Sequence, residues 1–127
     1  IENYIDKKFT KLTKDISIKK AIKLLVDNNT TEGYLISSEN KYLGKISLIN
    51  LINKKETFLL KYIEKNPIVI DPRSKLIFVI KKLSNFVGES IPIVNSKTGD
   101  MLGIISENDV LKAYLDISEE INQVEKD

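Results

Sequence analysis

An internal repeat is the feature that most constrains what this chain can fold into. Gly-Lys-Ile-Ser-Leu-Ile-Asn in the first half returns as Gly-Ile-Ile-Ser-Glu-Asn-Asp in the second. The glycines of the two copies, Gly44 and Gly103, are 103 − 44 = 59 residues apart, and so are Ser47 and Ser106. A unit of about 60 residues is only marginally stable alone, because it buries a smaller share of its surface than a larger domain does. Two copies packed together solve that problem, and we expect the function to lie in the clefts between them.

The first half has the hydrophobic pattern of a β-α-β-β-α unit. A brief strand at residues 9–12 precedes a helix that begins at Ile18, with an N-cap offered by residues 15–17. Two strands at residues 33–36 and 42–46 flank a polar hairpin turn, and a short helix follows from Leu48. Residues 54–65 then form an amphipathic helical connector to the second half, with apolar positions at Phe58, Leu59, Tyr62 and Ile63.

The second half repeats this order of elements. A strand at residues 67–70 precedes a helix in which Asp71 is the N-cap and Pro72 lies in the first turn. Strands at residues 91–94 and 101–105 follow, and then a helix at residues 108–115. The polar tail from Ser118 is expected to fray. We therefore predict an α+β fold, an α/β sandwich in which residues 1–57 and 58–127 form two repeats packed sheet to sheet with pseudo-two-fold symmetry.

Composition excludes several kinds of function. The chain has no cysteine and no histidine, which removes disulfides, thiol nucleophiles, Ser-His catalysis and the usual zinc sites. Its formal charge is +2, from 20 basic and 18 acidic residues that alternate along the chain, whereas nucleic-acid binding needs a concentrated basic face. Apolar runs such as Ile77–Ile80 are too short to span a bilayer. Because the chain begins at Ile1 without a leader, we expect it to be a piece of a longer protein.

The segment Met101–Leu111 is the main candidate for a site. A strand ends in Ser-x-x-Asp, formed by Ser106 and Asp109, where the pattern becomes helical. A hydroxyl and a carboxylate at a helix start can hold a small polar ligand. They can also simply cap the helix, with Asp109 as the N-cap or with Ser106 and Asp109 as a capping box. Gly44 and Gly103 are interpreted as residues required for tight packing or for backbone geometry, and Tyr34 and Tyr42 as core or cross-strand packing residues.

The doubled β-α-β-β-α pattern, with Gly-x-Ile-Ser-x-x-Asn/Asp ending each half, resembles a tandem pair of CBS domains, also called a Bateman module. The likeness covers residues 9–115. The second copy matches better, through Pro67-Ile68-Val69-Ile70, Ile91-Pro92-Ile93-Val94 and Leu102–Leu111. No single motif is specific, but two copies in the same order and spacing support the resemblance.

The resemblance implies a regulatory, non-catalytic module that binds an adenosine-containing ligand between its repeats: ATP, ADP, AMP or S-adenosylmethionine. By position, Asp109 would hold the ribose, Ser106 would reach the phosphates or the ribose, and Ile104 would line the base. The adenine wall would be formed by Thr10, Thr31, Glu32 and Gly33. Since the residue that matches Asp109 in the first repeat is the uncharged Asn50, a nucleoside is expected on the Asp109 side. No metal or catalytic residue is implied.

The resemblance also implies partners. We expect a cytoplasmic homodimer that controls a partner domain. The segments Lys-Lys-Phe-Thr, Gly-Lys-Ile-Ser-Leu and Val-Leu-Lys-Ala-Tyr are similar to the cytoplasmic part of CLC-type chloride channels and transporters, which would make a membrane transporter the parent protein. The alternative is a ligand-free dimerisation scaffold. An enzyme is poorly supported, because only carboxylates and lysines remain as catalysts and they form no paired acid motif.

Overall fold

The structure, a computed structural model, describes residues 2–54, 58–64, 68–83 and 90–126. It has the mixed α+β composition that the sequence predicts. The strands are β1 (Lys11–Leu12), β2 (Glu32–Ile36), β3 (Tyr42–Ser47), β4 (Ser90–Val94) and β5 (Met101–Ser106). The α-helices are α1 (Ile18–Asp27), α2 (Leu48–Leu51), α3 (Leu76–Leu83) and α4 (Glu107–Lys126). Short 3-10 helices occupy Glu2–Tyr4 and Leu59–Tyr62.

The first repeat packs α1 and α2 on a three-stranded sheet in the order β1-β2-β3. Strand β1 is parallel to β2, and β2 is antiparallel to β3. Helix α1 begins where predicted, because the Ser17 hydroxyl accepts a hydrogen bond from the Lys20 N–H at 3.1 Å. Its residues Ile18, Ala21 and Leu25 lie at helical spacing and are buried in the core of this repeat.

The second repeat is built in the same way. Strands β4 and β5 form an antiparallel pair, and Ile70 adds a parallel bridge to Ile93. Its N–H donates to the carbonyl oxygen of Pro92 at 3.1 Å. The equivalent pair in the first repeat is Leu12 and Leu35, 58 residues earlier in both cases (70 − 12 and 93 − 35). Of the predicted strand at residues 67–70, the structure therefore shows pairing at the last residue, Ile70, and Pro67 lies outside the described residues.

Two predicted helix bounds are wrong. Helix α3 begins at Leu76, so Asp71 is not its N-cap and Pro72 is not in its first turn. The Asp71 carboxylate instead accepts the N–H groups of Arg73 and Ser96, both at 2.8 Å, and so ties this turn to the β4–β5 hairpin. The polar tail from Ser118 does not end the last helix, because α4 continues to Lys126.

The repeats exchange short segments. Asp6 and Ile104 form two backbone hydrogen bonds, at 2.8 and 2.9 Å, so the start of the chain pairs with β5 in the second repeat. The Glu64 N–H donates to the Lys45 carbonyl oxygen at 2.9 Å, so the connector pairs with β3 in the first repeat. Leu59 of the connector is fully buried in the core of the first repeat. Each repeat therefore contains a segment from the other side of the boundary that we predicted at residue 57.

The prediction that Gly44 and Gly103 allow tight packing is confirmed. A Cβ atom on Gly103 would lie 2.5 Å from the carbonyl oxygen of Asp6, and one on Gly44 would clash with the Ile63 side chain. Both glycines therefore let the exchanged segments approach their strands closely.

The two sheets face each other across a third buried cluster, formed by Tyr34, Ile36 and Met101. The hairpin turns of the two repeats also meet, where the Lys41 ammonium pairs with the Asp100 carboxylate at 2.7 Å. The packing role predicted for Tyr34 is confirmed, since its side chain is 1% exposed. In the part of the chain that the structure describes, no helix is long and apolar enough to cross a membrane.

Candidate functional site

A cleft of about 480 Å³ opens at the junction of the two repeats. It is lined by Lys7, Lys8, Phe9, Thr10, Asn28, Thr30, Glu32, Tyr34, Ser90 and Ile104. Residues of the first repeat form most of the wall, and Ser90 and Ile104 are contributed by β4 and β5 of the second. A ligand that fills the cleft would therefore contact both repeats.

A buried polar network forms the floor of the cleft. The Glu32 carboxylate pairs with the Lys45 ammonium at 2.7 Å, and their side chains are only 6% and 4% exposed. Ser90, from the other repeat, donates its N–H to the same carboxylate at 3.0 Å, and its carbonyl oxygen accepts from Lys45 at 2.8 Å. The Ser90 hydroxyl also hydrogen-bonds to the Tyr34 hydroxyl. The network thus joins the first repeat to the second through charge-assisted hydrogen bonds.

Strand alternation explains which residues of β2 reach this floor. Successive side chains of a strand point to opposite faces, so Glu32 and Tyr34 share one face. Both contact Ser90 across the junction. Gly33 lies on the opposite face, where a Cβ atom would stand 2.8 Å from the Leu12 side chain. Gly33 therefore faces the core of the first repeat.

The wall combines an aromatic surface with polar groups. The Phe9 ring stands edge-on to Tyr34, with centroids 5.8 Å apart, and the Lys11 ammonium lies 5.4 Å from the Phe9 centroid. Asn28 donates its side-chain amide to the Thr10 hydroxyl oxygen at 3.0 Å. Such a wall offers both an apolar face for a ring system and hydrogen-bonding groups beside it.

Ser106 and Asp109 form a reciprocal cap at the start of α4. The Asp109 N–H donates to the Ser106 hydroxyl at 3.1 Å, and the Ser106 N–H donates to the Asp109 carboxylate at 3.3 Å. This is the capping-box arrangement. Ser106 is paired with Ser90 in the β4–β5 register and shares a face of β5 with Ile104, so this cap adjoins the floor of the cleft.

The structure brings together only part of the predicted site. Thr10, Glu32 and Ile104 line the cleft, and Ser106 and Asp109 adjoin it. Thr31 is exposed, and its carbonyl oxygen accepts from the Leu48 N–H at 2.7 Å. Gly33 faces the core. The roles of all seven residues toward a ligand stay predictions.

Sequence reasoning missed several lining residues, namely Lys7, Lys8, Phe9, Asn28, Thr30, Tyr34 and Ser90. Lys7, Lys8 and Phe9 directly precede Thr10, which was predicted, so their position beside β1 was the available signal. Ser90 occupies the position of Glu32 in the second repeat, 90 − 32 = 58 residues later. Repeat symmetry was therefore the signal that could have placed Ser90 at the junction.

Tyr42 stands close to this network without joining it. Its hydroxyl is buried and has no hydrogen-bond partner among the described residues. Burial, reinforced by the charge of Glu64, raises the pKa of Tyr42 to about 12. Burial also raises the pKa of Tyr34 well above its usual value, against the opposing effect of the hydrogen bond to Ser90.

The described residues contain no cluster of three or more carboxylate, imidazole or thiol side chains that could hold a metal ion.

Two interlocked α+β repeats with a cleft at their junction define a tandem-repeat α+β module. Residues 60–116 match the family model of the CBS domain, and the chain as a whole has the fold of a CBS domain pair. The resemblance predicted from sequence is thereby confirmed.

Solved structures match along most of the chain. A CBS domain pair/ACT domain protein from Thermotoga maritima aligns with a TM-score of 0.79 and 11% identity, covering 92% of this chain and 97% of that one. CBSX2 in complex with AMP aligns with a TM-score of 0.77 and 17% identity, over 93% and 97%. The soluble part of a magnesium transporter aligns with a TM-score of 0.77 and 18% identity, over 89% and 46%. At these identities the likeness concerns the fold.

One curated relative is an uncharacterised protein of Methanocaldococcus jannaschii. It is 34% identical over 79 residues, which is 61% of this chain and 46% of the relative. The chain therefore spans less than half the length of this relative.

Proposed function

We propose that this chain is a non-catalytic regulatory module that binds an adenosine-containing ligand, namely ATP, ADP, AMP or S-adenosylmethionine, in the cleft between its repeats. The observation that carries the proposal is that the cleft is lined from both repeats, by Phe9 and Glu32 on one side and by Ser90 and Ile104 on the other. A ligand held there would bind more tightly to conformations in which the angle between the repeats suits it. It can therefore shift the population of conformations that a partner domain senses.

The chemistry of the cleft suits such a ligand. Phe9 and Ile104 offer apolar surface for a base, and the exposed Lys7 and Lys8 are cations for its phosphates. Asp109 would accept hydrogen bonds from the ribose hydroxyls, because its carboxylate has lone pairs beyond the one used in the cap. The AMP complex of CBSX2, which has the same fold, supports this class of ligand.

Isothermal titration calorimetry with the four ligands tests the proposal. Asp109→Ala is expected to weaken binding about tenfold or more, because charged hydrogen bonds contribute about 1.5–3 kcal/mol. Asn50→Ala, at the matching position of the first repeat, is the control and is expected to leave binding unchanged. Absence of binding for all four ligands would overturn the proposal.

We propose that the regulated partner is a membrane transport domain of the same protein. The sequence resemblance points to a chloride channel as the kind of transport domain. The magnesium transporter whose soluble part shares this fold supports the general form of this proposal. Ion flux through the full-length parent protein, measured with and without the nucleotide that binds best, tests it. Flux that does not respond to a bound nucleotide would contradict it.

A second candidate function is a constitutive homodimerisation scaffold. It is favoured by large apolar side chains left exposed on two helices. Ile49 of α2 is 78% exposed, and Leu111, Tyr114 and Leu115 of α4 are 49%, 51% and 57% exposed. Analytical ultracentrifugation combined with the calorimetry distinguishes the two functions: a scaffold dimerises with concentration and binds none of the four ligands, and Leu115→Asp is expected to shift it to the monomer.

A further inference from the structure

The expected alternation of charge fails in one stretch of the chain. Residues 7–23 contain seven lysines and a single acidic residue, Asp15, so their formal charge is 7 − 1 = +6. The rest of the chain has 20 − 7 = 13 basic and 18 − 1 = 17 acidic residues, which gives a formal charge of −4. All seven lysines are exposed: Lys7, Lys8, Lys11, Lys14, Lys19, Lys20 and Lys23. The small net charge of the chain therefore conceals a strongly basic segment.

The seven lysines lie on one side of the first repeat, which we call the basic face. Residues 7–14 include β1, an edge strand of the three-stranded sheet, and α1 follows them along the chain. The side-chain amide of Asn28, just after α1, donates to the Thr10 hydroxyl just before β1, so the helix runs back alongside this edge. With about 100° between successive residues of a helix, the three lysines of α1 share its exposed face, opposite the residues buried in the core.

Protection of the sheet edge explains only part of this face. Lysines on an edge strand discourage pairing with other chains, and Lys11 in β1 suits that role. The lysines of α1 lie on a helix and guard no edge. Lys19 and Lys23 are four residues apart, a spacing at which like charges destabilise a helix. Among the described residues, Lys23 pairs with Asp27, whereas Lys19 and Lys20 have no ion-pair partner. An extended anionic surface would relieve this repulsion.

Apolar side chains border the basic face. Phe58 and Leu60, which are 64% and 51% exposed, line a second cavity of about 480 Å³ together with Lys14. Val26 is 59% exposed and lies on the same face of α1 as Lys23, three residues earlier. Lysines beside exposed aromatic and aliphatic side chains suit the surface of a bilayer, where ammonium groups meet anionic head groups and apolar groups meet the acyl chains. A nucleic acid offers phosphates without an apolar layer behind them, so the border favours a membrane.

We propose that the basic face is an interaction surface for an anionic lipid membrane, that is, a bilayer whose head groups carry net negative charge. A lysine close to such a surface strengthens binding by about fivefold, and salt screens the attraction over a Debye length of about 8–10 Å. Contact with a membrane would hold the module beside the transport domain that we propose as its partner. The inference goes beyond the proposed function and does not depend on nucleotide binding.

Cosedimentation of the chain with lipid vesicles tests the inference. The wild type is expected to bind phosphatidylcholine vesicles that contain phosphatidylserine, and to dissociate as KCl rises from about 0.05 M to about 0.5 M. The triple variant with Lys14→Gln, Lys19→Gln and Lys20→Gln is expected to raise the vesicle dissociation constant about tenfold or more. The control triple loses the same charge at exposed lysines outside the basic face and should change binding less than about twofold: Lys75→Gln, Lys97→Gln and Lys112→Gln.

Phe58→Gln tests the apolar border. It should weaken vesicle binding about threefold or more and leave the salt dependence unchanged, because no charge is altered. Absence of binding to phosphatidylserine vesicles, equal binding to phosphatidylcholine alone, or equal effects of the two lysine triples would overturn the inference. Tighter binding to a single-stranded oligonucleotide than to vesicles would also overturn it and would assign the face to nucleic acid. Calorimetry with the adenosine ligands is a separate measurement, so failure of this inference leaves the proposed function standing.

Discussion

Removal of the buried Lys45 charge tests how strongly the network joins the repeats. Lys45→Met keeps an unbranched side chain but leaves the Glu32 carboxylate, 6% exposed, without the cation 2.7 Å away. Removing one partner of a buried ion pair costs about 3–5 kcal/mol, because the remaining charge is desolvated and unpaired. A domain's total stability is about 5–15 kcal/mol, so the free energy of unfolding should fall by a large fraction. Urea unfolding followed by circular dichroism measures this loss.

Two comparison variants separate the buried charge from other effects. Lys23→Met removes the ammonium of a pair with Asp27 whose side chains are 73% and 56% exposed, and it should cost less than about 0.5 kcal/mol. The double variant Glu32→Gln with Lys45→Met removes both buried charges and should recover most of the stability lost in Lys45→Met. If Lys45→Met costs no more than Lys23→Met, the buried pair contributes nothing to holding the repeats together and the reasoning is refuted.

Two further predictions concern packing at the junction. Tyr42→Phe removes a buried hydroxyl that has no hydrogen-bond partner among the described residues, so urea unfolding should show an unchanged free energy of unfolding or a gain of up to about 1 kcal/mol. Tyr34→Phe breaks a buried hydrogen bond to Ser90 and should lower the free energy of unfolding by about 1–2 kcal/mol. Burial raises the folded-state pKa of Tyr42 to about 12, so the unfolded chain loses this proton first, near the ordinary pKa of about 10. The free energy of unfolding should therefore be unaffected by Tyr42 ionisation below pH 10 and should fall as the pH rises from 10 through 12, and Tyr42→Phe should lack this alkaline loss. Gly103→Ala should cost about 1–3 kcal/mol and more than Gly44→Ala, since the new Cβ atom meets backbone at the first position and an isoleucine side chain at the second; equal costs would contradict this.

The sequence predicts the order of elements well because each repeat carries a clear hydrophobic period. Helix α1 begins at Ile18 as predicted, where apolar spacing and the Ser17 cap agree. The start of α3 was misjudged because Asp followed by Pro is a signal shared by helix starts and turns. The Asp71 carboxylate accepts backbone N–H groups from Arg73 and from the β4–β5 turn, and the second of these bonds depends on tertiary contacts.

The site is less predictable than the fold because its floor forms from residues that are distant in sequence. All five residues of β2 are buried, so burial alone does not show which face meets the other repeat. Glu32 and Ser90 become partners only when the two sheets pack together. Strand periodicity separates Glu32 from Gly33, but the choice of the face that lines the cleft requires the packed structure.

Broken symmetry explains why the two sides of the junction differ chemically. Glu32 and Ser90 are equivalent positions of the two repeats and meet each other at the junction. Lys45 and Ile104 are also equivalent, 104 − 45 = 59 residues apart, yet one is a buried cation committed to Glu32 and the other is an apolar residue that lines the cleft. Under the proposed function, the Ile104 side would accommodate the base, and it is also the side where the helix start carries Asp109. The differences at these two pairs of equivalent positions therefore agree with the ligand position that we propose.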